Sequence, residues 1–319
     1  MAFDLDQSRL FFRVEVNPVV GFGHFMRCLA LARFLGKDYA CCFAMGHVTP
    51  EVSNALERYD IGTIAVRPQD QYHPDAAAGA SELPFDLEGL IKQTDVVILD
   101  GYRFGQEYRR RLGESGAKVV QFFDGVDFEA NVDGYITPLI LSDQERMRLE
   151  MRCQVFDGSD GFLIRPEFYV QQHQTVALKG TTFIYATQDA SMAYYKKAKK
   201  LADTKVVALT NQRYVGACRQ MGWDVLMNAD AMEVDIAMSK CDAALLPASS
   251  VALEYLVVHS RAPYVFVTAE NQREGYNRML RAGYWLDAER ILDEVGEPER
   301  SNLGMVNPEI GLRNWMADL

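Results

Sequence analysis

The stretch Gly21-Phe22-Gly23-His24-Phe25-Met26-Arg27 joins a short apolar run to a segment with helical periodicity. The run before it, Leu10–Val16, predicts a buried strand, and His24–Leu35 predicts a helix. Two glycines at such a turn let the backbone approach a ligand closely, and the helix start offers N–H groups without intrahelical partners. The turn is not a Gly-x-Gly-x-x-Gly dinucleotide fingerprint, because Met26 stands where the third glycine belongs. It therefore predicts a parallel α/β unit that binds a ligand other than NAD.

Short apolar runs alternate with amphipathic stretches along the whole chain, as in parallel α/β units. The alternation weakens between Leu141 and Gln174 and restarts with a strand at Thr181–Ala186. We therefore expect two domains, 1–170 and 171–319, each with a parallel sheet, facing each other across a cleft. Within the first domain, Phe85–Gln93 is expected to be helical. The apolar end of the chain around Trp315 could form a helix that packs back on the first domain.

The composition is that of a globular protein, with 319 residues, 49% hydrophobic and 24% charged. A formal net charge of -11 argues against nucleic acid as a partner, since that binding depends on Lys and Arg. The six cysteines form no C-x-x-C pair, and no two histidines stand four residues apart, so we expect neither a metal site nor a cofactor. No leader peptide and no membrane-spanning run is recognisable, which predicts a cytoplasmic protein. Nothing in the sequence indicates an oligomeric state.

Three groups of residues at predicted strand ends could carry chemistry. His24 is suited to proton transfer near neutral pH, although a histidine there could equally cap or pack its helix. Ser249 and Ser250, with Glu254 one turn on, could hold a phosphate or simply cap a helix. Asp100, in Asp100-Gly101-Tyr102, could orient a histidine, hold a sugar hydroxyl or form a turn.

Six motifs in the same order resemble the UDP-sugar hydrolases of the pseudaminic acid pathway, which cleave UDP-2,4-diacetamido-2,4,6-trideoxy-β-L-altropyranose. The similarity covers the chain from about Phe12 to Trp285. The motifs are Phe12–Val14 followed by Gly21–His24, Arg27 and Leu31-Ala32; Val97–Tyr102; Phe122–Gly125; Leu163–Tyr169; Ala248–Ser250 with Glu254; and Asn271-Gln272.

The resemblance implies an α/β fold of the GT-B glycosyltransferase type, with two Rossmann-like domains. It also implies metal-independent hydrolysis of a UDP-linked amino or deoxy sugar to UDP and free sugar, in the synthesis of surface glycans of the nonulosonic acid type. His24 would be the general base. The remaining assignments are Gly21, Gly23, Arg27 and Asp189 at the substrate; Asp100 and Tyr102 at the sugar; Ser249 and Ser250 at the diphosphate; Glu254 at the ribose; and Asn271 and Gln272 at the nucleotide or sugar.

The sequence departs from the family pattern at two places. Ala186-Thr187-Gln188-Asp189 replaces the usual Gly-Gly-Ser/Thr-Asp, which adds side chains where the backbone should approach the diphosphate. Gly101 replaces the usual histidine between Asp100 and Tyr102. Two alternatives therefore stay open beside hydrolysis, namely a glycosyltransferase that uses a UDP-sugar donor and a UDP-sugar-binding protein without activity.

Overall fold

Strand β1, Arg9–Val14, is the first described element of the protein, whose structure is a computed structural model. The structure describes residues 8–14, 16, 23–66, 83, 85–101, 103–124, 131–170, 178–186, 192–195, 205–227, 229–259, 261–289 and 306–319. The chain forms two compact units, Met1–Leu163 with Asn307–Leu319, and Ile164–Val306. The division at residue 170 into a sugar-side and a nucleotide-side domain stays a prediction.

The described strands of the first unit form a seven-stranded parallel sheet in the order β3-β2-β1-β4-β5-β6-β7. The chain moves outward from β1 to β3 and then returns to the other side of β1, so the direction of winding changes between β1 and β4. The strands are β1, β2 (Ala40–Met45), β3 (Gly62–Ala65), β4 (Val96–Asp100), β5 (Lys118–Phe122), β6 (Gly134–Ile136) and β7 (Gln154–Phe156). Helices are Gly23–Leu35, Pro50–Arg58, Gln106–Glu114 and Asp143–Glu150.

The centre of this sheet is buried on both faces, because helices cover both sides of a doubly wound sheet. Strand β4 is buried along its whole length, and β1 is buried except at its first residue. Phe12 on β1 stacks on Phe43 of β2, with ring centroids 4.6 Å apart. This rigid centre fixes the positions of the residues that follow β1 and β4.

The predicted helix at Phe85–Gln93 is wrong, because this segment forms turns. Gly89 adopts a φ of 73°, which a helix does not accommodate. Asp86 accepts hydrogen bonds from Arg13 (2.8 Å) and from the Tyr108 hydroxyl (2.6 Å). The segment is thus tied to the core by a polar anchor, and Leu87 is its buried apolar residue.

The second unit repeats the same topology with a six-stranded parallel sheet in the order β10-β9-β8-β11-β12-β13. Its winding changes direction between β8 and β11. The strands are β8 (Leu178–Ala186), β9 (Lys205–Thr210), β10 (Asp224–Met227), β11 (Cys241–Pro247), β12 (Tyr264–Phe266) and β13 (Leu286–Asp287). Helices are Glu167–Val170, Val215–Gln220, Ala231–Ser239, Ser250–His259 and Arg273–Arg281, with a 3-10 turn at Glu270–Gln272.

The C-terminal helix, Glu309–Ala317, packs on the first unit. Its Trp315 meets Phe156 of β7 edge to face, with ring centroids 6.0 Å apart. Gly134 of β6 makes room for it, since a methyl group there would lie 2.9 Å from the indole of Trp315. Among the described residues, no helix is both long and apolar enough to cross a bilayer.

Candidate functional site

The first unit gathers polar side chains where the winding of its sheet changes direction. Asp100 is the last residue of β4, and the helix that begins at Gly23 follows β1. The carboxyl ends of parallel strands lie at one edge of a sheet, and ligands of doubly wound proteins bind there at the switch point. The topology therefore brings the start of this helix and Asp100 together at the edge where a ligand is expected.

His24 and Asp100 are in direct contact at this edge. The imidazole Nδ1 of His24 lies within hydrogen-bond distance of Asp100 Oδ1. Asp100 is fully buried and His24 is only 6% exposed. An ionised carboxylate is an acceptor, so Nδ1 carries the proton that it donates, and the basic lone pair of a neutral ring is then on Nε2. The pair has the orientation that a carboxylate gives to a histidine acting as a base.

Arg27 lies one helical turn after His24 and is held between two carboxylates. Its Nε and Nη2 donate to Asp100 Oδ2 and Oδ1, each at 2.6 Å. Its Nη1 donates to Oδ1 of Asp124, which follows β5, and its Nη2 lies 3.3 Å from the other oxygen of that carboxylate. The guanidinium also stacks on Phe122, with 4.9 Å between Cζ and the ring centroid. Arg27 is thus a rigid bridge between the ends of β4 and β5.

Charge pairing keeps Asp100 ionised despite its burial. Burial alone would raise the pKa of Asp100, but the charges and hydrogen bonds of Arg27 and His24 lower it well below its usual value. The pKa of Arg27 is raised well above its usual value, because Asp100 and Asp124 outweigh the effect of burial. Burial and the neighbouring Asp100 also raise the pKa of Cys28, whose thiol lies 3.4 Å from that carboxylate. Cys28 is therefore a neutral donor here.

In the second unit, Glu254 is paired with Arg165. The carboxylate accepts from Nε at 2.7 Å and from Nη2 at 2.8 Å, and the Glu254 side chain is 6% exposed. Burial alone would lower the pKa of Arg165, but this carboxylate raises it. Such a two-pronged pair fixes the carboxylate in both position and direction. The helix Ser250–His259 is thereby attached to the segment that opens the second unit.

Ser249 and Ser250 stand at the switch point of the second sheet, directly after β11. The Ser249 carbonyl accepts from the amide of Ala252 at 3.0 Å, so the helix begins here, and its first turn carries no acidic residue. Ser250 is exposed. After β12, the amide oxygen of Gln272 accepts from the Thr268 N–H and hydroxyl at 2.9 and 3.0 Å.

The structure brings His24, Arg27 and Asp100 together, while Gly23 is the first residue of the same helix. Asn271 lies in the 3-10 turn before Arg273–Arg281. Four of the predicted positions, Gly21, Tyr102, Asp189 and the side chain of Asn271, lie outside the described residues. Their roles stay predictions.

Two partners were not on the predicted list of site residues, namely Asp124 and Arg165. Each had a sequence signal. Asp124 follows an apolar run, as Asp100 does, and neighbouring parallel strands end at the same edge of a sheet. Arg165 belongs to the Leu163–Tyr169 motif.

Comparison with known proteins places the chain near one hydrolase. No protein-family profile matches it. It is 22% identical over 292 residues to UDP-2,4-diacetamido-2,4,6-trideoxy-beta-L-altropyranose hydrolase from Campylobacter jejuni, an alignment that covers 86% of the chain and 97% of that protein. The chain is a distant homologue of this hydrolase. The resemblance drawn from the motifs is thereby confirmed as that of a divergent relative.

Solved structures with a similar fold include glycosyltransferases. A UDP-glucosyltransferase from Polygonum tinctorium superposes with a TM-score of 0.58 at 11% identity, over 98% of this chain and 93% of that one. MurG from Acinetobacter baumannii gives 0.55 at 11% identity, over 97% and 90%. The predicted fold class, α/β with two Rossmann-like parallel sheets of the GT-B type, is confirmed.

Proposed function

We infer that the protein hydrolyses a UDP-linked amino or deoxy sugar to UDP and the free sugar. The observation that carries this proposal is the buried contact between His24 and Asp100 at the switch point of the first sheet. The distant hydrolase homologue gives the reaction class, and the sugar in its name is the first substrate to test. A role in surface-glycan synthesis in the cytoplasm is part of the same proposal.

In the proposed reaction, Nε2 of His24 takes a proton from water. The water oxygen attacks the anomeric carbon, the bond from that carbon to the diphosphate oxygen breaks, and UDP leaves with the electron pair. Asp100 stays ionised throughout and stabilises the imidazolium that forms. The proton then passes from His24 to solvent. General base catalysis of this kind contributes about 10²–10⁴ in rate.

The nucleotide contacts of the proposal come from the second unit. The helix Ser250–His259 has exposed Ser250 and no acidic residue in its first turn, which suits a phosphate. Glu254 is held in place by Arg165 and would accept from a ribose hydroxyl. The amide nitrogen of Gln272 would donate to the base or the sugar. Asp189 and Asn271 complete the predicted set.

The test is to follow UDP release from a panel of UDP-sugars, including the diacetamido-trideoxy-altropyranose derivative, with the unaltered chain and a His24→Ala variant. We expect turnover that falls by about 10²–10⁴ in the variant, while UDP binding, measured by calorimetry, is retained. Unchanged turnover in His24→Ala would contradict the assignment of the base. UDP binding without turnover of any UDP-sugar would instead indicate a UDP-sugar-binding protein without activity.

A glycosyltransferase activity is the second candidate, because the fold matches glycosyltransferases and Gly101 carries no side chain beside Asp100. The missing ring would leave space for an acceptor alcohol in place of water. The two readings differ in one measurement. UDP release by a transferase depends on an added acceptor, whereas UDP release by a hydrolase does not.

A further inference from the structure

Arg27 contacts three other side chains of the candidate site. The family resemblance implies a substrate contact for Arg27, which stays a prediction, and its side chain reaches Asp100, Asp124 and His24. Four of its N–H donors are directed at the two carboxylates. A guanidinium held in this way is a fixed charge beside the histidine and acts on the ring electrostatically.

Two opposing charges act on the imidazole. Asp100 contacts Nδ1 and favours the protonated ring, whereas Nη2 of Arg27 lies 3.0 Å from the same nitrogen and disfavours it. Because Nδ1 already donates to Asp100, the approach of Arg27 is a close cation contact. The two charges of the Arg27–Asp100 pair would largely cancel at the ring if they stood alone.

Asp124 breaks this balance. Its carboxylate is 26% exposed and pairs with Nη1 of Arg27, on the side of the guanidinium that faces β5. Two carboxylates and one guanidinium leave one net negative charge next to a neutral His24, and protonation of the ring makes the group neutral. Without Asp124 the group would be neutral at the start and would gain a positive charge in a largely buried place, which is unfavourable.

We propose that Asp124 is a positioning residue that acts through Arg27 to set the proton affinity of His24. In the described part of the chain, the ring contacts Asp100 on β4 and Arg27 on its own helix. Two further titratable groups contact these partners, namely Cys28 at Asp100 and Asp124, after β5, at Arg27. Cys28 stays a neutral thiol, so the three charged side chains determine the effect. The proposal rests on the proposed function, because the proton affinity of His24 affects the reaction only if His24 is the base. Its test does not require turnover.

The experiment follows the imidazole signals of the full-length chain by NMR as pH is varied, with His24 assigned by loss of its signal in His24→Ala. In Asp124→Asn we expect the titration midpoint to fall by roughly one to two pH units, the size of one charge about 6–7 Å away at an effective dielectric of about 20 to 40. Asp124→Glu should keep the midpoint. In Arg27→Gln the midpoint should rise, because the cation beside the ring is removed.

The matched control is Asp160→Asn, since Asp160 is also paired with an arginine, Arg146 at 2.8 Å, and its side chain is 29% exposed. This variant should leave the His24 midpoint unchanged. If a UDP-sugar is turned over, the acidic limb of the pH–rate profile should move with the NMR midpoint in each variant. A midpoint that stays within 0.2 pH units in both Asp124→Asn and Arg27→Gln would overturn the proposal. If the His24 midpoint shifts in the expected directions but no UDP-sugar is turned over, the role of Asp124 is supported and the proposed hydrolase function is contradicted.

Discussion

Replacing Arg165 should show how much its ion pair with Glu254 contributes to the stability of the second unit. In Arg165→Met the Glu254 carboxylate loses two charged hydrogen bonds, at 2.7 and 2.8 Å, while its side chain stays 6% exposed. Breaking a buried pair by removing one partner costs about 3–5 kcal/mol. Arg165 itself is 22% exposed, so water relieves part of that cost. We therefore expect a loss of about 3 kcal/mol in the free energy of unfolding.

The assay is urea unfolding of four proteins, namely the unaltered chain, Arg165→Met, Glu254→Gln and the double variant. Glu254→Gln removes the charge but keeps the shape, and it leaves a partly exposed arginine, so we expect a smaller loss of about 1–2 kcal/mol. The double variant should be more stable than the sum of the single losses implies, by about 2 kcal/mol. Additive losses within about 0.5 kcal/mol would refute the reasoning, since they would mean that the two side chains are not coupled.

The same variants separate a structural role of Glu254 from a role in nucleotide binding. If Glu254 accepts from the ribose, Glu254→Gln should weaken UDP binding about tenfold at a temperature where the variant stays folded. The control is Glu274→Gln, which removes a carboxylate from an exposed i,i+4 pair with Arg278. It should change stability by less than about 0.5 kcal/mol and leave UDP affinity as it is. Equal UDP affinity in Glu254→Gln and Glu274→Gln would contradict the ribose contact.

Three further predictions concern the described core. The folded-state pKa of Asp100 lies below its unfolded value, so its contribution to stability is fully present above about pH 5 and is lost mainly as pH falls below about 4; urea midpoints at pH 7, 4 and 3 should depend less on pH in Asp100→Asn. Asp86→Asn should cost about 3–5 kcal/mol, because a buried arginine loses the carboxylate of its ion pair, whereas Glu107→Gln, in an exposed pair, should cost under about 0.5 kcal/mol by the same assay. Burial raises the pKa of Cys41 to about 12 and that of Cys42 to about 11, so both thiols should resist alkylation at pH 8 until the chain is unfolded, as mass spectrometry would record.

The sheet topology was accessible from sequence because its central strands are continuous apolar runs. The predicted strand Leu10–Val16 corresponds to β1, Arg9–Val14, and the predicted helix His24–Leu35 to Gly23–Leu35. The predicted strand Thr181–Ala186 forms the end of β8. The helix Asp143–Glu150 was not predicted. It buries only Leu149, so its apolar periodicity is weak, although Ser142 and Glu145 form a capping box. A helix that buries few residues is indicated by its capping residues, which a search for apolar periodicity does not detect.

The candidate site was accessible only in part, since sequence gives the position of a side chain but not its partners. A strand-end aspartate was expected to orient a histidine or to hold a sugar, and the structure pairs Asp100 with His24. The bridge from Arg27 to Asp124 needs the adjacency of β4 and β5, which joins residues 97 positions apart. No local pattern encodes such a distance along the chain. Glu254 illustrates the same limit, because its partner Arg165 lies 89 positions away.

These pairings bear on how a protein with a net charge of -11 could hold a diphosphate. Arg27 is engaged by two carboxylates and Arg165 by one, so a phosphate would have to displace charged hydrogen bonds to use either guanidinium. The start of the helix Ser250–His259 imposes no such exchange, because its first turn has no acidic residue. Neutral donors and a helix dipole also depend less on salt than an arginine does. The proposed diphosphate contact therefore predicts a UDP affinity that changes little between low and moderate ionic strength, whereas a steep decline on adding salt would point to a cationic site instead.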